Sequence, residues 1–111
     1  MCYSDLQKAL SRLRIPFAEG EWRDAEEMQS DYGVYALDGD ASLMADDGHA
    51  ERAAMGTVDL YIWGEPGFAQ AADVEEAMTA AGVTWRVVSA AAYEPDSGFT
   101  HWRWRVICFW G

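Results

Sequence analysis

Basic residues are scarce in this chain. Eight lysines and arginines stand against 19 acids, for a formal net charge of −11 over 111 residues. A body so charged repels polyanions, which argues against a dedicated nucleic-acid-binding role. Cysteine is nearly absent. Cys2 and Cys108 lie near opposite ends, with no CxxC and no Cys/His cluster of zinc-site spacing. Without a secretion signal both are expected to be reduced thiols packed as small hydrophobes, although a bridge is conceivable if the first helix packs beside the last strand. No apolar run approaches the ~20 residues that span a bilayer, so no membrane association is expected. The segment MCYSDLQKALSRLR carries neither an apolar h-region nor a cleavage site, and synthesis in the cytoplasm is the expectation.

Half of the residues are apolar, enough to exclude a mainly disordered chain, and the length suits a single domain over residues 1–111. The acids are unevenly spread. From Glu19 to Glu76 sixteen acids accompany only Arg23 and Arg52, whereas no acid follows Asp96. Lys8, Arg12 and Arg14 belong to the N-terminal segment, and Arg103 and Arg105 to the last apolar run.

SDLQKALSRLR opens with a capping-box pattern, Ser4 and Gln7, and continues with Leu6, Leu10 and Leu13 at helical spacing before Pro16 stops it. A short extended piece is expected at Ile15–Phe17. GVYALDGDASLMAD reads as a hairpin, with strands at 33–37 and 41–46 and a turn centred on Gly39. In TVDLYIWG, Val58, Leu60 and Ile62 alternate with Asp59, Tyr61 and Trp63, the period of a half-buried strand. A second helix carries Ala71, Val74, Met78 and Ala81 on one face and closes at Gly82. VTWRVVSAAAY and FTHWRWRVICFW follow as strands joined at EPDSG. The expected order is α-β-β-β-α-β-β, an α+β fold with two helices on one face of a mainly antiparallel sheet.

Chemistry-bearing motifs are few. An EF-hand loop beginning at Asp38 would need glycine at its sixth place, where Leu43 stands. His49 and His101 belong to no HExxH spacing, and neither Ser89 nor Ser97 sits in a G-x-S-x-G elbow. GxGxxG and GxxxxGK[ST] are both missing. No catalytic, cofactor-binding or metal-binding residue is assigned, and a non-enzymatic role is expected.

The last strand poses the main question, because three of the six tryptophans and two arginines fall between Phe99 and Gly111. Alternation puts Trp102, Trp104, Val106, Cys108 and Trp110 on one face and His101, Arg103, Arg105, Ile107 and Phe109 on the other. A nucleic-acid platform needs aromatics and bases together on one exposed face, and here the tryptophans point away from the arginines. Core packing is the better account of the tryptophan face. Outward Tyr61 and Trp63 on one strand, with Arg103, Arg105, Ile107 and Phe109 on another, mark a candidate subunit or partner interface. A loop from residues 17–32 is the competing cover for it.

Four segments together carry a resemblance: GVYALDGDASLMADDG, TVDLYIWG, ADVEEAMTAAGVTW and HWRWRVICFW. Their layout from Tyr32 to Trp110 resembles the small tail-completion or tail-terminator proteins, the head–tail joining and minor tail group of long-tailed phages and prophages. The matching features are Ala45-Asp46-Asp47, Leu60-Tyr61, the acidic helix at 74–81, Gly82-Val83-Thr84-Trp85 and the closing strand at 100–110. The resemblance implies a structural subunit of a six-fold ring at the head-proximal end of the tail. Its partners would be its own copies, tail-tube proteins and head-completion or neck proteins; specific nucleic-acid binding and cofactors are not expected. Asp38, Asp40, Asp46 and Asp47 would then lie on an acidic hairpin facing the lumen or a neighbouring subunit, where negative charge lets DNA slide past. The alternative is a small acidic bacterial protein-binding module that mimics nucleic acid, also non-enzymatic. Gene neighbours encoding portal, capsid and tail tube would separate the two.

Overall fold

The computed structural model describes residues 2–22, 30–42 and 52–110, side chains excepted at 2, 38–42, 52, 53, 109 and 110. Its elements are α1 (Cys2–Ser11), β1 (Phe17–Glu19), β2 (Tyr32–Ser42), β3 (Arg52–Trp63), α2 (Phe68–Ala80), β4 (Thr84–Glu94) and β5 (Phe99–Trp110). The strands form one sheet in the order β1-β2-β3-β5-β4. Only β1 and β2 run parallel; the other neighbours are antiparallel. This is the α+β fold expected from the periodicities.

The β3–β5 pair forms the centre of the sheet, and its register assigns the two faces. Val58 lies opposite Trp104, Leu60 opposite Trp102 and Ala54 opposite Cys108. These residues face the helices and are buried with Leu6 and Leu10 of α1 and Ala71, Val74 and Met78 of α2. The tryptophan face is therefore core. Each buried indole N–H finds an acceptor: Trp104 Nε1 donates to Glu75 Oε2 at 2.9 Å and Trp102 Nε1 to the Pro66 carbonyl at 2.7 Å. Such partners are what allow large amphipathic rings to be buried.

Gly82 ends α2 as expected. Its φ of 77° permits the Val83 N–H to reach the Met78 carbonyl and the Gly82 N–H the Thr79 carbonyl, both at 3.0 Å. The EPDSG turn also forms, with Gly98 N–H on the Glu94 carbonyl at 2.8 Å.

Four local expectations are corrected. The capping box is absent because α1 begins at Cys2, ahead of Ser4, and the Gln7 amide donates instead to Glu19 Oε2 at 3.1 Å. Glu19 also accepts from the Tyr3 hydroxyl, so it ties two residues of α1 to β1. The short extended piece forms as β1 at Phe17–Glu19, displaced from Ile15–Phe17. Residues 38–40 do not turn: β2 continues through them to Ser42, with its register against β3 shifting between Leu37 and Gly39. Asp-Gly-Asp suits a β-bulge as readily as a hairpin, since both need a residue without steric restriction. Of the strand expected at 41–46, Ala41 and Ser42 belong to the end of β2, and residues 43–51 lie outside the described residues. Last, Cys108 is not a free thiol but disulfide-bonded. The expected condition for a bridge holds, since α1 packs on β5; the Cys2 side chain lies outside the described residues.

Candidate functional site

Among the described residues, both helices lie on one face of the sheet, and odd-numbered residues of β3 and β5 form the other. Here Tyr61 stands opposite His101, Asp59 opposite Arg103, Thr57 opposite Arg105 and Met55 opposite Ile107. On the flanking strands, Tyr32 lies opposite Tyr61 and Arg86 opposite Arg105.

Asp59 is the centre of this face. Its side chain is buried, with the residue 7% exposed, yet Oδ1 accepts hydrogen bonds from Arg103 Nε at 2.6 Å and from His101 Nε2 at 2.7 Å. Burial alone would raise the carboxyl pKa. The hydrogen bonds from His101 and Arg103, with their charge, outweigh it and hold the group below its ordinary value. On its other side the imidazole faces a second acid, Nδ1 lying 3.9 Å from Glu94 Oε2.

A stack of rings continues from the histidine. His101 lies on Tyr61 with centroids 4.5 Å apart and planes 2° from parallel, and Tyr61 lies on Tyr32 at 4.7 Å and 13°. Phe99 meets Tyr32, Tyr61 and Trp63 edge-on. Burial, then the neighbouring Asp59 charge, pushes the Tyr61 phenol up to about 12. Burial, then Glu94 and Asp59, raises Tyr32 as well.

Two residues between β1 and β2 reach this end. Trp22 packs on Tyr32, and Asp31 Oδ1 accepts the Trp63 backbone N–H at 2.9 Å. Of residues 17–32, the competing cover, Trp22 and Asp31 thus reach the Tyr32 and Trp63 end of the face, and residues 23–29 lie outside the described residues. Tyr61 and Tyr32 are walls of a small aromatic cluster, while Trp63 remains at its exposed rim.

The expected interface residues Tyr61, Trp63, Arg103, Arg105 and Ile107 share this face, and Phe109 holds the same register opposite Ala53. Arg103 is engaged by Asp59, and Ile107 is half-buried between Met55 and Thr84. Asp38 and Asp40 belong to β2 by backbone, their side chains being outside the description; Asp46 and Asp47 lie outside the described residues.

Sequence reading missed Asp59, His101, Glu94, Tyr32 and Phe99 as one network. The β3–β5 register that joins Asp59 to Arg103 spans 44 positions along the chain, and periodicity within one strand carries no register between two.

The face also refines the argument about aromatics. Arginines and aromatics do share it, though they are different aromatics from the tryptophans of β5. Tyr32 and Phe99 are 6% and 4% exposed and pack on one another, so they offer bases no stacking platform. Chemically the network is a hydrogen-bonded ion pair, Asp59 with Arg103, beside a histidine that lies between two carboxylates. Compared with protein-family models and with curated proteins, the chain matches none.

Proposed function

We propose that the chain is a structural, non-enzymatic virion subunit, a tail-terminator or tail-completion protein that forms a ring at the head-proximal end of a phage tail. The observation that carries this reading is where the resembling segments fall. TVDLYIWG and HWRWRVICFW become the paired central strands β3 and β5, and ADVEEAMTAAGVTW becomes most of α2 and the entry to β4. Three of the four stretches on which the resemblance rests thus build one contiguous body; the fourth, GVYALDGDASLMADDG, runs as β2 through its expected turn and passes outside the described residues.

Two further features support it. The Asp59–His101–Arg103 belt places hydrogen-bonded charged groups on the face opposite the helices, a surface suited to a neighbouring copy, a tail-tube protein or a neck protein. A disulfide at Cys108 suits a protein that ends in a released particle, beyond the reducing pathways of the cytosol where it is made.

Deletion of the coding sequence from the phage or prophage tests the proposal by electron microscopy of induced lysates. The expected result is filled heads beside unjoined or irregular-length tails, with joining restored by a plasmid copy. Normal virions in normal yield would refute it and favour the acidic binding module.

A further inference from the structure

Strand β4 ends the sheet, with β5 on one side and no strand on the other among the described residues. It is 11 residues long and exposes large apolar side chains, Val87 (38%), Val88 (53%) and Tyr93 (62%). Natural proteins rarely leave such an edge uncovered. Charge is placed along it with a sign at each end. Arg86 and Glu94 lie on the face opposite the helices, in register with Arg105 and Phe99, and both are exposed. Val87 and Tyr93, in register with Trp104 and Thr100, lie on the helix side.

The strand is therefore complementary to itself when reversed. The geometry points to a second copy of this chain as the occupant of the edge, joined antiparallel about a two-fold axis. Arg86 of each copy then lies beside Glu94 of the other, and Val87 beside Tyr93, each pair on its matching face.

Charge complementarity selects this occupant: two copies of net charge −11 repel one another in general, and the two Arg86–Glu94 pairs bring opposite charges together at the contact itself. The strand centre, Ser89-Ala90-Ala91-Ala92, is small enough for two backbones to approach. Register shifts between Val87 and Ser89 and between Ser89 and Ala92, with Ala91 at φ 47°, prevent a continuous ladder there. The contact consists of two equivalent flanks, and among the described residues the joined sheet ends on each side at β1, whose three residues offer little edge for further growth.

This inference concerns free subunits and is independent of the tail reading; virion joining in a deletion strain tests only the latter. Sedimentation equilibrium of the full chain over a concentration range tests the dimer, using wild type, R86E, E94R and R86E/E94R, with circular dichroism confirming that each folds. Wild type is expected to dimerise. Each single reversal should raise the dissociation constant at least about tenfold, because the two-fold axis counts each new like-charge pair twice. The double reversal should recover most of that loss. V87D, which leaves both charges in place, should also weaken the dimer.

A wild-type chain that stays monomeric at millimolar concentration would overturn the proposal. So would a double reversal no tighter than the singles, or growth past the dimer into an open series.

Discussion

Asp59 and Arg103 face each other across the β3–β5 pair, and a 2.6 Å hydrogen bond joins the buried carboxylate to a guanidinium that keeps 46% of its side chain in solvent. The asymmetry sets what a mutation does. Asp59→Ala leaves a half-exposed Arg103 guanidinium that solvent already reaches but deprives His101, 13% exposed, of its Nε2 acceptor. The expected loss is about 1–3 kcal/mol in urea unfolding, with Asp59→Asn, which retains an acceptor oxygen, losing less.

The same carboxylate gives acid sensitivity. Its folded pKa lies below the ordinary value, so its contribution is complete above the unfolded pKa of about 3.9 and disappears as pH falls through the lower folded value. Unfolding free energy should decline below about pH 4, and the decline should be shallower in Asp59→Asn. Equal acid limbs for the two proteins would place the sensitivity elsewhere.

At alkaline pH the sign reverses. Tyr61 is raised to about 12 in the fold, so its neutral phenol is favoured there; that stability is complete below the unfolded value near 10 and disappears as pH rises through 12. Stability should therefore fall across this window, and Tyr61→Phe should flatten the fall. Ultraviolet titration of the folded protein should show late-ionising phenols, Tyr32 and Tyr61 among them.

The elements were legible in the sequence where one strand or helix suffices to define them. Val58, Leu60 and Ile62 alternate because one face of β3 is core, and Ala71, Val74 and Met78 recur because one face of α2 is. The same alternation separated the tryptophans of β5 from its arginines. What stayed hidden depends on pairing. Asp59 looks like an ordinary outward residue until the register brings His101 and Arg103 to it, and Gly39 looks like a turn until β3 is found to extend back to Arg52. The acceptor of Trp104 was equally invisible, since Glu75 reads as one more acid on a solvated helix.

Glu75 supplies the next prediction. Trp104 is fully buried, and the Glu75 carboxylate accepts its indole N–H. Glu75→Leu should cost about 1–3 kcal/mol by leaving that donor without a partner, whereas Glu75→Gln keeps an acceptor oxygen and should cost clearly less. Thermal or urea unfolding followed by tryptophan fluorescence distinguishes them, and a neutral Glu75→Leu would show that the indole had found another acceptor.

Gly56 is constrained by backbone. It lies in β3 opposite Leu37, beside the register shift of β2, and a Cβ built on it would meet the Ala36 carbonyl oxygen at 2.2 Å. No rotamer relieves that contact, because the opposing atom belongs to the neighbouring strand. Gly56→Ala must therefore push β2 away from β3, at about 1–3 kcal/mol by analogy with other overpacked sites. At Gly33 the obstacle is the Phe17 ring at 2.1 Å, a side chain of the short edge strand β1 that can swing aside. Gly33→Ala should accordingly destabilise less than Gly56→Ala. Urea unfolding of the two variants side by side checks the ranking, and the reverse order would mean that β2 yields at its bulge more easily than Phe17 turns.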